Sequence, residues 1–424
     1  MKEDKTICLL NDSFPPLIDG VANAVINYAD QLSKNEYNPM VITPSHPKAD
    51  DKKFAYPVLR YHSISKLKFN GYPTGIPFSP DVAAKIRDSK VEVLHTHCPI
   101  MSTFMARQLR QITHAPIIFT YHTKFDIDIA NVVKRKAIQD ACIKTVVSNI
   151  SACDEVWVVS KGAGENLRSL GYKGEYIVMP NGVDMPLGKV SSEKQEEATG
   201  KYNLPSDVPV YLFVGRMLWY KGLRIAIDAL KNLKDNGKDF RMVFIGSGGN
   251  IDEVKDYIKQ IGIDDKCIFT GPIYDREELR AWYSRVDLFL FPSSYDTNGL
   301  VVREAAASST ASVLIKGSCA AEDITDGRNG FLIEENAQSM TECLMSLTME
   351  QMKEAGEHAA NEIYISWETA CKKAMERYEY VIEHYKNGDY PRKRSSSEGI
   401  MRMNGEMMRM LRIWHRIPHR RKKK

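Results

Sequence analysis

No CxxC pair occurs in the 424-residue sequence, and its eight cysteines stand alone at 8, 98, 142, 153, 267, 319, 343 and 371. That scatter excludes the usual zinc framework and disulfide scaffold and fits reduced thiols in a cytosolic protein. No stretch approaches the roughly 18 consecutive apolar residues of a membrane span. The opening MKEDKTICLLND mixes both charges and has no apolar core of signal-peptide length, so a cytoplasmic protein is expected. No repeat of about 20–50 residues is present. A complete dinucleotide fingerprint is missing as well. Gly246-Ser247-Gly248-Gly249 and Gly162-Ala163-Gly164 are fragments of one, but neither completes GxGxxG in the first βα unit, which argues against an NAD-dependent oxidoreductase.

What remains is ordinary for a globular protein, 43% apolar and 26% charged, which excludes a largely disordered chain. The net charge of +4 hides an asymmetry. Residues 391–424 carry twelve Lys or Arg against Glu398 and Glu406, or +10; the rest has 46 basic against 52 acidic residues, or −6. A mildly acidic body precedes a strongly basic tail.

Apolar runs of strand length alternate with helical patterns. Strands are expected at 7–10, 91–95, 116–121, 155–159 and 176–179, with helices at 21–32, 103–112 and 134–150. The pattern restarts beyond 205, with strands at 208–214, 242–245, 267–270, 288–291 and 312–315 and helices at 222–233, 251–261, 277–284, 301–308 and 340–347. Continuous apolar strands separated by helices mean parallel sheets covered on both faces. The fold class is therefore α/β with two doubly wound, Rossmann-like domains, at 1–180 and 181–366. The turn PNGVDMP (180–186) and the polar segment 187–207 join them. A helix at 367–385 ends near Asn387-Gly388, closing a segment at 367–388, and 389–424 is the tail. Ligands of such sheets bind outside the carboxyl ends of the strands, and two sheets can turn those ends towards one cleft.

Four motifs sit at strand ends. In Phe14-Pro15-Pro16-Leu17-Ile18-Asp19-Gly20-Val21, Gly20 allows close backbone approach and the following helix end offers N–H groups to an anion; taken alone, the motif reads rather as an ordinary strand-to-helix turn. Gly215-Arg216-Met217-Leu218-Trp219-Tyr220-Lys221-Gly222 places two cations beside a helix start, good chemistry for a diphosphate. In Phe291-Pro292-Ser293-Ser294-Tyr295-Asp296-Thr297-Asn298-Gly299-Leu300-Val301-Val302-Arg303-Glu304-Ala305, a helix starting near Gly299 puts Glu304 one turn inside it and Asp296 on the loop before it. Both carboxylates could then accept hydroxyl hydrogen bonds in one pocket, with Asn298 and the backbone of Gly299, Leu300 and Val301 beside a phosphate. The alternative is a capping Asp296 and a surface Glu304. Finally, His95-Thr96-His97-Cys98 and Thr120-Tyr121-His122-Thr123 end two strands of the first domain. With no carboxylate at ligand-like spacing, a neutral histidine bonding a substrate hydroxyl is favoured over a metal site.

Together these residues resemble glycosyltransferase family 4, retaining enzymes of the GT-B fold, over roughly residues 5–388. The resemblance rests on PPLIDG, YHT, VMPNGVD, GRMLWYKG, GSGG, FTGPI (269–273) and FPSSYDTNGLVVREA. It implies that Gly20 meets the donor diphosphate through its backbone and that Arg216 and Lys221 clamp it. Glu304 would bond the ribose, and Gly271, Pro272 and Ile273 would meet the base. Asp296 would touch the donor sugar, His122 would line the sugar pocket, and the helix from 367 would pack back on the first domain. It implies a nucleotide-sugar donor and neither a metal nor a cofactor. Departures from the pattern are Asp19-Gly20 for Gly-Gly, Asp296 for Glu, and Ser309-Thr310-Ala311 for Gly-x-Pro.

The tail shows helical periodicity over 400–417. Ile400, Met403, Met407, Met410, Leu411, Trp414 and Ile417 share one face, Arg402, Arg409, Arg412 and Arg416 the opposite one, and five basic residues close the chain. A basic amphipathic helix suits an anionic membrane surface. The expected enzyme is thus a hexosyltransferase, with a UDP-sugar donor favoured, acting on a membrane lipid such as diacylglycerol as a peripheral protein at the cytoplasmic face. A soluble glycan or metabolite acceptor and a non-catalytic sugar-nucleotide-binding membrane protein are the alternatives. Nucleic acid is not an expected partner.

Overall fold

The computed structural model describes residues 5–17, 19–69, 72–391 and 398–415. They form two compact units, Met1–Pro180 with Trp367–Lys424, and Asn181–Ser366.

The first unit runs β1 (Lys5–Leu10), α1 (Gly20–Lys34), β2 (Tyr37–Pro44), β3 (Val58–Tyr61), β4 (Ser63–Phe69), β5 (Tyr72–Gly75), α2 (Pro80–Arg87), β6 (Val91–Thr96), α3 (Met101–Thr113), β7 (Ile117–Tyr121), α4 (Phe125–Val132), α5 (Lys136–Ser151), β8 (Glu155–Val158), α6 (Lys161–Ser169) and β9 (Ile177–Val178). Seven strands form a sheet in the order β3-β2-β1-β6-β7-β8-β9, and β4 and β5 pair as a separate antiparallel ribbon. All neighbours in the large sheet are parallel. Strands β7 and β8 are buried at every position, as helices on both faces require.

The second unit runs α7 (Ser192–Thr199), β10 (Val210–Val214), α8 (Leu223–Asp235), β11 (Arg241–Ile245), α9 (Ile251–Gln260), β12 (Cys267–Gly271), α10 (Arg276–Arg285), β13 (Leu288–Phe291), α11 (Leu300–Ala307), β14 (Ala311–Ile315), β15 (Phe331–Ile333), α12 (Ala337–Ser346) and α13 (Met349–Glu362). Its sheet has the order β12-β11-β10-β13-β14-β15. In both sheets the winding direction reverses once, between β1 and β6 and between β10 and β13. Such switch points are where loops diverge and leave a crevice for ligands.

Two helices complete the first unit. α14 (Trp367–Asn387) packs on α1 and β6. Arg377 grips Glu155 through two bonds of 2.9 and 2.6 Å, and the buried Tyr378 ring stacks on Trp157 at 5.4 Å between centroids. α15 (Glu398–His415) lies on α2 and α3. Among its described side chains Met401 and Met408 are buried, the Met408 sulfur accepts from Ser79 N at 3.2 Å, and Gly405 backs onto α3, where a Cβ would stand 2.9 Å from the Gln108 carbonyl oxygen. The glycine that weakens the helix in isolation is what lets it seat closely.

Residues 398–415 of the expected tail, 389–424, thus belong to the first unit. Arg416, Ile417 and the closing basic run 420–424 lie outside the described residues, as does Ile18. The segment 187–207, expected as polar linker, contains α7, which Ser191 caps through Lys194 N. The expected helix 134–150 is α5, separated from α4 at 133–135.

Candidate active site

In the second unit, the loops leaving β10 and β13 flank the switch point. Lys221 reaches Asp296 across it, Nζ to Oδ1 at 2.6 Å, and Ser293 donates to the other carboxylate oxygen at 2.6 Å. The two cations of the β10 loop fare differently: Lys221 is paired and mostly buried, whereas Arg216 is exposed. Glycine packing brings the loops this close. A Cβ on Gly246 would lie 2.0 Å from the Gly215 carbonyl oxygen and one on Gly248 2.4 Å from that of Met217, so GSGG seats the β11 loop on the β10 loop. Its glycines have a packing reason, independent of any dinucleotide.

Gly299 is the N-cap of α11 at φ +56° and supplies no side-chain cap. The Asn298 amide nitrogen beside it is buried without a hydrogen-bond partner among the described residues. An orphaned donor next to an uncapped helix N-terminus is an arrangement an anionic or hydroxyl-rich ligand would satisfy. Asp296 is therefore not the helix cap, and Glu304 is not a surface carboxylate. Glu304 Oε1 takes Arg276 Nη2 at 2.7 Å and Oε2 takes the Tyr283 hydroxyl at 3.2 Å, with 12% of the side chain exposed. Burial pushes the Glu304 carboxyl up from its usual range while the Arg276 guanidinium pulls it down. The two carboxylates thus have separate partners, Lys221 and Ser293 for one, Arg276 and Tyr283 for the other. Gly271, at φ +78°, ends β12, and Pro272 and Ile273 carry the chain towards α10, with Ile273 packed on the core.

In the first unit, Gly20 opens α1 with open space where a Cβ would be. The N–H groups behind it are not all available, however. Asp19 Oδ1 accepts from Val21 N at 2.9 Å and Ala22 N at 2.7 Å. The chain's own carboxylate thus occupies the position expected to welcome an anion, because an aspartate stands where the family has its first glycine.

The histidines also divide. His97 Nδ1 meets His122 Nε2 at 2.9 Å at the carboxyl ends of β6 and β7. His95, expected at a ligand, is fully buried and bridges Tyr378 of α14 at 2.6 Å and Thr120 at 2.7 Å. It docks α14 rather than facing a substrate, since a fully buried polar ring needs partners inside the protein. Burial holds all three imidazoles neutral, lowering His122 to about 3 and His95 and His97 well below the usual value. The stability linked to this is complete above the unfolded histidine value of about 6.5 and is lost as pH falls towards the folded values. Going from pH 7 to pH 5 should therefore cost about 2 kcal/mol at His122, and His95 and His97 shift stability in the same direction. Thermal unfolding at both pH values should show the drop, and His95→Gln should flatten it; an unchanged slope would show that His95 titrates alike folded and unfolded.

Arg276, Tyr283, Asp184 and Ser293 are the contacts around Glu304 and Asp296 that motif reading does not single out. Arg276 follows Asp275, which caps α10 through Glu277 N and Glu278 N, so the segment reads as a plain helix start. In PNGVD, Asp184 reads as turn chemistry only.

Two family models match consecutive parts of the chain: Glycosyltransferase Family 4 at residues 18–186 and Glycosyl transferases group 1 at 194–362. The protein is a glycosyltransferase of this family. Among curated relatives, this glycosyltransferase is 25% identical over 397 residues to a GDP-mannose-dependent alpha-mannosyltransferase of Corynebacterium glutamicum, covering 89% of each chain. It is 24% identical to an alpha-monoglucosyldiacylglycerol synthase of Acholeplasma laidlawii, over 78% of this chain and 85% of that one. Its fold matches a glycosyltransferase structure from Rickettsia africae with a TM-score of 0.70 at 21% identity, covering 90% of this chain and 99% of that one. The Anabaena HepE structure with UDP matches with a TM-score of 0.69 at 18% identity, covering 88% and 100%. The architecture of this glycosyltransferase is GT-B, with two Rossmann-like domains.

Proposed function

We propose that the protein transfers a hexose from a UDP-sugar to the hydroxyl of a membrane lipid such as diacylglycerol, with retention of anomeric configuration. The donor half rests on the groups gathered at the β10/β13 switch point: Lys221, the orphaned Asn298 donor, the uncapped α11 N-terminus and Glu304. As the bond from the anomeric carbon to the phosphate oxygen breaks, the sugar becomes oxocarbenium-like and negative charge builds on the diphosphate. Lys221, Arg216 and the N–H groups at 299–301 stabilise that charge, the kind of preorganised electrostatics that dominates many catalysed steps. The acceptor hydroxyl attacks from the face the phosphate leaves, and the phosphate takes its proton. Asp296 is freed for the sugar when the diphosphate draws Lys221 away. On this reading no metal is needed, and transfer persists in a chelator.

The observation that carries the lipid acceptor is α15. It seats on Met401, Gly405 and Met408 and leaves Ile400, Met403 and Met407 exposed at 56, 63 and 41%. Part of the apolar stripe read from the sequence is thus left outward by the docking of the opposite side. No helix among the described residues is long and apolar enough to cross a membrane, so a surface contact is the available mode. The relatives named alpha-monoglucosyldiacylglycerol synthases support the same reading. Substituting serine at Ile400, Met403 and Met407 should reduce sedimentation with anionic vesicles about tenfold or more, since each removes an apolar side chain from the lipid boundary. Deleting the tail is the poorer test, because it also strips Met408 from the core. Unchanged vesicle binding by the triple variant would sink the membrane reading.

A GDP-mannose donor is the second reading, favoured by the mannosyltransferase relative. Thermal shifts with UDP-, GDP- and ADP-sugars separate the two, since a tight donor raises the melting temperature by mass action.

A further inference from the structure

We propose that Arg276 is a positioning residue of the donor site, anchored by Asp184 and holding the Glu304 carboxylate in place to accept the ribose hydroxyls. The proposal rests on the reading of Glu304 as the ribose acceptor. A single guanidinium nitrogen, Nη2, reaches both carboxylates, Asp184 Oδ1 at 2.5 Å and Glu304 Oε1 at 2.7 Å. Glu304 therefore receives one short charge-assisted bond, from Arg276, and one long neutral one, from Tyr283 at 3.2 Å. Each carboxylate oxygen keeps acceptor capacity for a further hydrogen. Two such oxygens, held on the first turns of α11 beside the β13 loop, match the two vicinal hydroxyls of a ribose.

Asp184 gives Arg276 its second fixed point. The guanidinium is partly exposed, at 42% of its side chain, and an exposed single pair holds geometry weakly. Bridging two carboxylates from separate segments defines its position. Around Glu304 the charged and titratable groups are Arg276 and Tyr283 of α10 and Asp184 of the 181–186 segment. Of these Arg276 alone favours the ionised carboxylate by its charge, against burial and Asp184, so its loss moves the carboxyl further up. Glu304 would then take up a proton at a higher pH and lose an acceptor site.

Titration calorimetry of the full chain with UDP and GDP, and with their 2′,3′-dideoxy counterparts, tests this. Arg276→Ala should weaken the tighter-binding ribonucleotide about tenfold, the scale of a hydrogen bond to a charged group, and leave its dideoxy counterpart unchanged. The acid loss of ribonucleotide binding should begin at higher pH in Arg276→Ala than in the wild type, and Arg276→Lys should recover part of the affinity. The dideoxy ligands carry the same diphosphate, so they report its titration separately. Equal weakening of both ligand types, or of neither, overturns the positioning role when Glu304→Ala still discriminates between them. If Glu304→Ala fails to discriminate, the ribose reading itself falls and takes the proposal with it.

Discussion

Lys221→Ala should lower kcat/KM for sugar transfer by about a hundred- to a thousandfold, the range seen when one preorganised donor to a developing oxyanion is removed. Its melting temperature should shift by only a few degrees. The ammonium contacts Asp296 at 2.6 Å from the β10 loop, with 11% of the lysine side chain exposed. That pair is the only ion pair Lys221 makes among the described residues, so the folded body loses one partly exposed pair. Asp296 keeps its bond from Ser293 and 24% of its side chain remains exposed, so it is not stranded as a bare buried charge. The large loss belongs to the reaction, where negative charge builds on the diphosphate as the sugar departs and the ammonium stabilises it. Lys221→Arg should recover little, because a planar fork replaces a compact ammonium in a tight setting. Steady-state rates with the donor found by thermal shift, set against melting curves, separate the two effects. Near-normal turnover in Lys221→Ala would remove the residue from the donor site.

Much of this site can be read directly from residues in line. Lys221 and Asp296 are 75 positions apart, yet each sits in a motif that ends a buried strand, and a parallel sheet with a switch point brings such ends together. Strands with a continuous apolar run, such as Ile117–Tyr121 or Leu288–Phe291, announce themselves. Strands β2 and β3 do not: Pro39 and Pro44 fall inside the first and Pro57 precedes the second, and proline is a poor strand signal. α7 hides because SEKQEEAT has no apolar stripe. What local patterns cannot show is which polar groups meet across the fold. His95 looks like a ligand-facing residue until α14 returns Tyr378 to it from 283 positions away. Arg276 looks like a first-turn surface residue until Glu304 and Asp184 close on it. α15 inverts the lesson: the apolar stripe is real in the sequence, but the face that docks is the one marked by Met401, Gly405 and Met408.

Gly222→Ala should destabilise the second unit by more than about 3 kcal/mol, because strain and collision add at one position. Gly222 sits at φ +78°, between Lys221 and the first residue of α8, where an L side chain costs about 1–2 kcal/mol on backbone grounds alone. A Cβ there would stand 1.7 Å from the Pro292 carbonyl oxygen and 2.6 Å from its carbon, both backbone atoms of the β13 loop. No rotamer relieves that contact; one loop has to leave the other. Gly237 provides the control, since it has nearly the same φ, +76°, and nothing within 4 Å of a Cβ. Gly237→Ala should cost the strain alone, about 1–2 kcal/mol. Urea unfolding of the two variants therefore isolates the collision as the difference between them. Where Gly222→Ala still folds at low temperature, the displaced loop carries Ser293 and Asp296 away from Lys221, so turnover should fall even at a temperature well below the melting point. Equal stability of the two variants would mean that the β10 and β13 loops are not in contact at the switch point, and with that contact the Lys221–Asp296 pair would go too.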